Sequence, residues 1–221
     1  MQQTIRCIVF VLATLGTSIP CAAESSGQQA RNNALITAAR DGQLKTVLHL
    51  LQSGIDPNAR GDNGATALTE ASAKGHIDTV EALVRAGADI NLDGTDRTPP
   101  LVAAAANLQY PVLRYLVSEG ARLDLHDKYG MTALHYAAKH GQLRAVVLLL
   151  EAGAGPNPLT IGHETPLFAA VSRGHYEIVA ELLSRGADPH VGTNRGDSPL
   201  EAARAFGNPA VVRLLERATA R

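Results

Sequence analysis

The stretch that decides the fold runs from Asp127 to Ala154 and reads DKYGMTALHYAAKHGQLRAVVLLLEAGA. Thr132 stands where a hydroxyl can accept a hydrogen bond from an unpaired amide at the start of a helix. Ala137 and Ala138 follow, small enough to let a neighbouring helix approach closely, and Gly141 supplies the backbone freedom that a helix end asks for. Val146, Leu149 and Leu150 then recur at helical spacing, so a second helix has one apolar face. Gly153 ends it. Two short helices back to back cannot bury both apolar faces alone, so this segment predicts neighbours of its own kind.

The neighbours are present. Leu35, Leu68, Leu101, Leu134, Leu167 and Leu200 are each 33 residues apart, and Gly54, Gly87, Gly120, Gly153 and Gly186 keep the same interval in register. Thr66, Thr132, Thr165 and Ser198 are the expected helix starts, with proline following Thr165 and Ser198 at a position where no amide is wasted. Thr165-Pro166-Leu167, Ser198-Pro199-Leu200, Thr132-Ala133-Leu134-His135, Gly75-His76, Gly174-His175, Gly87-Ala88-Asp89-Ile90-Asn91 and Gly186-Ala187-Asp188 recur in phase. Together these motifs resemble the ankyrin repeat. The resemblance implies an all-α ankyrin-repeat solenoid of helix-turn-helix units with protruding β-turn or hairpin loops. It also implies that His76, His135 and His175 tie turns together through hydrogen bonds.

The expected organisation is a signal peptide over 1–23, a short flexible spacer over 24–30 and a repeat domain over 31–217. Within the domain lie an N-terminal cap (31–60), repeats 61–93, 94–126, 127–159 and 160–192, and a C-terminal cap (193–217); a tail covers 218–221. The caps depart from the pattern as a wetted end requires: Asn33-Ala34 replaces the Thr-Pro start, and Arg213, Glu216 and Arg217 interrupt the last apolar stripe. Inside the array, Arg97 and His163 replace the glycine usual in the turn, and Leu108 with Pro111 disturbs the inter-helix turn of the third unit.

Arg6, the apolar run Cys7 to Gly16, Pro20 and the small residues Cys21-Ala22-Ala23 have the form of an export leader cleaved after Ala23. Its apolar run is half the length of about 20 residues needed to span a bilayer, so no membrane insertion of the mature chain is expected. Acylation at Cys21, giving a lipoprotein, is the alternative, but Ser18-Ile19-Pro20 lacks the usual Leu-x-small pattern. Both cysteines lie in the leader, so the mature chain has no thiol chemistry. No Asn-x-Ser/Thr triplet occurs, which fits a bacterial periplasm better than a eukaryotic secretory route. Apolar residues make up 45% of the chain but aromatics only 4%, and there is no Trp, so the core is built from Leu, Val and Ala. The net charge of −1 gives no drive toward nucleic acid or anionic membrane.

No nucleophile elbow, phosphate-cradling loop or His-Glu-x-x-His is present, and no catalytic, cofactor or metal residue is assigned. Asp62 and Glu164 are read as solvated turn charges, because an open stack encloses no cleft for an acid and base pair. His140 and His163 are the one pair that could share a face, and an enzyme or metal-dependent factor using that region is the alternative function; a metal site would want a third ligand.

The expected function is a non-catalytic module, monomeric on its own, that binds another protein in the periplasm through a concave surface of turn tips and first helices. The candidate contact positions are Asp62, Asn63 and Lys74; Thr95, Asp96 and Asn107; Lys128, Tyr129, Met131, Lys139 and His140; Ile161, Glu164 and Arg173; and Asn194, Arg195 and Asp197. The fourth unit stands out, because Tyr129 and Met131 beside Lys128 and Lys139 put an aromatic and a flexible apolar side chain next to positive charge. Tyr129 packing on its neighbouring turn is the competing reading. The resemblance implies roles such as scaffold, inhibitor or immunity protein, or helper of an exported enzyme, including protection against oxidants. A secreted effector acting in a host cell is the third reading.

Overall fold

The computed structural model describes the backbone of residues 21–220 and the side chains from Ser26 onward. Within it, twelve α-helices form six antiparallel pairs: α1 (Cys21–Arg40) with α2 (Leu44–Gln52), α3 (Ala67–Lys74) with α4 (Ile77–Arg85), α5 (Pro100–Ala106) with α6 (Tyr110–Ser118), α7 (Ala133–Lys139) with α8 (Leu143–Glu151), α9 (Pro166–Ser172) with α10 (Tyr176–Ser184), and α11 (Pro199–Ala205) with α12 (Pro209–Thr219). First helices pack on first helices and second helices on second, so the chain builds two parallel rows. The only extended pairing among the described residues is a pair of isolated bridges at turn bases, Arg60 with Thr66 and His126 with Thr132.

The 33-residue register is the register of the core. Leu35, Leu68, Leu101, Leu134 and Leu167 are buried in the first row, and Leu83, Leu116, Leu149, Leu182 and Leu215 in the second. Each such leucine is stabilising by about 1.5–3 kcal/mol through the apolar surface it removes from water. Leu200, in the sixth unit, is only half-buried, because among the described residues α11 packs on a first helix on one side only. Between the rows, Ala71, Ala104, Ala137, Ala170 and Ala203 are fully buried, where a longer side chain would hold first helices apart.

The helix starts follow the sequence with one variation. Thr66 and Thr165 accept from the amides of Thr69 and Phe168, and Ser198 shares a reciprocal cap with Glu201. At α7 the Thr132 amide instead donates to Nδ1 of His135 at 3.1 Å. The inter-helix turn requires a left-handed residue, as at Gly141 (φ 73°), where an added Cβ would also sit 2.9 Å from the His175 ring.

Two of the expected boundary segments are helical, and a third lies outside the described residues except at its end. The expected leader over 1–23 lies outside the described residues apart from its last three, which open α1. Residues 24–30, expected to be a flexible spacer, are helical and part of α1. The segment has no proline and carries the helix formers Gln28, Gln29 and Ala30, and Gln29 is held by a 3.1 Å bond from its Nε2 to the Arg60 carbonyl. At the other end α12 continues to Thr219, so the first two residues of the expected tail are helical. No helix among the described residues is long and apolar enough to cross a membrane.

Candidate protein-binding face

The turn tips are joined to one another by the backbone. The Lys128 amide donates to the Asp96 carbonyl (3.1 Å), the Ile161 amide to the Tyr129 carbonyl (3.0 Å), and the Asn194 amide to the Gly162 carbonyl (3.1 Å). Tips of the third to sixth units therefore form one continuous edge. Arg97 and His163, which stand in the glycine position of the tip, adopt φ of 57° and 61°, so the turn geometry is kept at the cost of strain.

Behind the edge, buried polar groups fix its position. Asp127 is almost fully buried and accepts from the amides of Tyr129 (2.8 Å) and Met131 (3.0 Å) and from the Tyr136 hydroxyl (2.7 Å). His135 is fully buried. Its Nδ1 accepts from the Thr132 amide, which leaves the proton on Nε2 to donate to the Glu164 carbonyl of the next unit at 3.0 Å. Burial pushes the pKa of this imidazole down to about 4, against the pull of its carbonyl partners, so the ring is neutral. At the far ends of the helices His76 and His175 reach back to the carbonyls of Arg40 (2.9 Å) and Lys139 (3.2 Å), and Gln142 to that of Ala105 (2.8 Å). These are the ties that the recurring His positions imply.

A family model described as ankyrin repeats (3 copies) matches residues 7–94, 91–160 and 158–220. The chain belongs to the ankyrin-repeat family. Among solved structures it is similar to an ankyrin repeat domain from Acinetobacter baumannii AYE, at 32% identity and a TM-score of 0.77, covering 84% of this chain and 97% of that one. No curated protein matches it. The ankyrin fold is typically a non-catalytic scaffold, and its repeats mark this chain as a protein–protein interaction module.

In this ankyrin array the sequence-predicted contact positions sort into two groups. In the first, polar atoms are occupied by the frame itself. Asp62 accepts from Asn33 Nδ2 at 2.7 Å, Asn63 from the Ala65 amide at 3.1 Å, and Asn107 donates to the Ala103 carbonyl at 2.9 Å. Asp96 pairs with Lys128 Nζ at 3.1 Å, and Met131 and Thr95 are half-buried. The second group presents its side chains outward: Lys74, Tyr129, His140, Ile161, Arg173, Asn194 and Arg195 are exposed, as are Glu164 and Asp197, and Lys139 is partly so.

Tyr129 and Ile161 are 55% and 67% exposed, and the backbone bond between their units sets them on neighbouring tips at the middle of the edge. Lys128 Nζ lies 5.0 Å from the centre of the Tyr129 ring, a cation–π contact that leaves the aromatic exposed. Tyr129 thus takes part in a contact at the tip and remains largely in solvent. His140 stacks on Tyr136 with ring centres 6.1 Å apart. Burial, then the positive charges of Lys139 and Arg173, hold its pKa below the ordinary imidazole value, and the same charges oppose a metal cation there. Among the described residues no group of three or more His, Cys, Asp or Glu side chains is placed to hold a metal ion; His163 stands on a turn tip, whereas His140 caps α7 at the inter-helix turn.

Sequence reasoning marked Leu108 only as a disturbance, and the structure gives it a definite form. It occupies the phase of Gly42, Gly75, Gly141, Gly174 and Gly207 and takes the same left-handed backbone, with φ of 63°. For a residue with a Cβ this costs about 1–2 kcal/mol.

Proposed function

We propose that this ankyrin array is a binding module of the bacterial periplasm that captures a protein partner with the turn-tip edge centred on Tyr129 and Ile161. The observation that carries the reading is that pair of large, exposed apolar side chains on adjacent tips, held by a backbone bond and flanked by Lys128. A monomeric protein gains nothing by leaving such side chains in water, whereas a partner that desolvates them gains a hot spot with a charged rim. Export is supported by the leader pattern over residues 1–23. In the periplasm such a module acts by occupying another protein as scaffold, inhibitor or helper.

The test is capture from a periplasmic extract by the chain starting at Glu24, identification of the captured protein, and titration of the purified pair. Tyr129→Ala with Ile161→Ala is expected to weaken that affinity by about tenfold or more while leaving the melting curve in place. Unchanged affinity would rule out this edge as the contact. Fractionation with intact-mass measurement of the native protein tests localisation: a periplasmic species beginning at Glu24 supports it, and an unprocessed cytoplasmic species refutes it.

A further inference from the structure

We infer that the inter-helix turns of the third and fourth repeats form a second docking cleft, separate from the tip edge, which takes an apolar side chain flanked by carboxylates on a segment of an acidic protein partner. The cleft lies between Leu108–Tyr110 and His140–Ala145, has a volume of about 490 Å³, and sits at the opposite ends of the helices from the turn tips. Its apolar lining comes from Leu108, Tyr110 and Leu143, of which Leu108 is 58% and Leu143 38% exposed.

Leu108 is the observation that calls for an explanation. Every other unit places glycine at this phase, where the left-handed backbone is free of strain. Here a leucine accepts the strain and buries little of its side chain in return, so neither backbone conformation nor core packing accounts for it. A strained residue with its side chain held out beside a concave apolar wall is placed for contact with another molecule.

The rim indicates the chemistry of that molecule. His140 and Arg144 border the cleft, with Lys139 and Arg173 beside His140. Among the described residues none of Lys139, Arg144 and Arg173 is ion-paired to a carboxylate, whereas Arg122 and Arg185 are both paired. The carboxylates nearest in phase, Asp78 on α4 and Glu177 on α10, lie one repeat to either side and are exposed. With a net charge of −1 on the whole chain, this gathering of unpaired cations around an apolar hollow is local, and it complements an anionic segment with one apolar anchor.

Fluorescence polarisation of two labelled synthetic peptides tests the inference: one carries a single phenylalanine between pairs of glutamates, the other the same phenylalanine between pairs of glutamines. The glutamate peptide is expected to bind about tenfold more tightly than the glutamine peptide, and to lose that advantage at high salt. Leu108→Gly and Arg144→Glu are each expected to weaken the glutamate peptide about fivefold or more. Leu108→Gly should at the same time melt higher than the wild type, which separates lost contact from lost fold. Tyr129→Ala should leave peptide affinity unchanged, so this inference and the tip-edge reading fail independently. Absence of binding, equal binding of the two peptides, or wild-type affinity in Leu108→Gly overturns it.

Discussion

The junction between the fourth and fifth repeats and the junction between the third and fourth share one backbone period and are held differently. At the first, Asn157 spans the exit loops, with Nδ2 donating to the Gly186 carbonyl (3.1 Å) and Oδ1 accepting from the Asp188 amide (2.8 Å), while His135 reaches the Glu164 carbonyl on the helix side. Asn58 makes the same loop clamp on Gly87 and Asp89, and Asn91 makes half of it by accepting from the Arg122 amide. At the second junction the position in phase is Asp124. A carboxylate has no proton to donate to a carbonyl, and Asp124 turns instead to Arg122, at 2.9 Å. A hollow of about 420 Å³ opens there between the loops 120–124 and 152–155. This junction relies on its other contacts, the Lys128 pair with Asp96 at the tips and the bond from Gln142 to the Ala105 carbonyl at the inter-helix turns. Equal repeats therefore do not make equal interfaces; a single group exchanged at the clamp decides whether the exit loops of a junction are tied together.

The comparison can be broken most strongly at His135. Replacing it with Ala leaves the Thr132 amide and the Glu164 carbonyl without their partner and opens a cavity, at an expected cost of about 3 kcal/mol read by urea unfolding. A loss near zero would mean that the helix-side tie contributes nothing to the fourth and fifth junction. Acid reaches the same tie without mutation. The folded pKa of about 4 lies below the ordinary 6.5, so the neutral ring favours the fold fully above pH 6.5, and that stability is lost as pH falls toward 4. At pH 5 the loss is about 2 kcal/mol from this group alone, and it should vanish in His135→Gln. The smallest change sharpens the contrast in loop clamps: Asp124→Asn is expected to stabilise by about 1 kcal/mol, because the Arg122 pair it gives up is exposed and worth little, and Asn157→Asp to destabilise by a similar amount. Thermal melts of the two exchanges moving in the same direction would refute the clamp as the difference between the junctions.

The architecture was legible in the sequence because a solenoid repeats its core positions, so one period placed Leu134 and its five counterparts in the first helical row together. Tip residues such as Tyr129 and Ile161 were legible for the same reason, since phase says which way a position faces. Phase does not say what a polar side chain bonds to. Asp62, Asn63, Asp96 and Asn107 read as open contact positions, yet their polar atoms serve the frame, and the partner of Asp62 lies 29 residues away in α1. The consequence of Asp124 was hidden likewise, because the partner it lacks belongs to the next loop. Leu108 broke the pattern visibly; that it keeps the glycine's backbone and pushes its side chain into solvent depended on the turns packed on either side.

The amide-to-carbonyl links along the tips have a consequence for whatever docks there. Lys128 to Asp96, Ile161 to Tyr129 and Asn194 to Gly162 act as a rail that fixes the interval between successive tips. Exchanging a tip side chain alters what is offered at one rung without respacing the others, so the array behaves as a ruler whose markings can be rewritten singly while its scale stays constant.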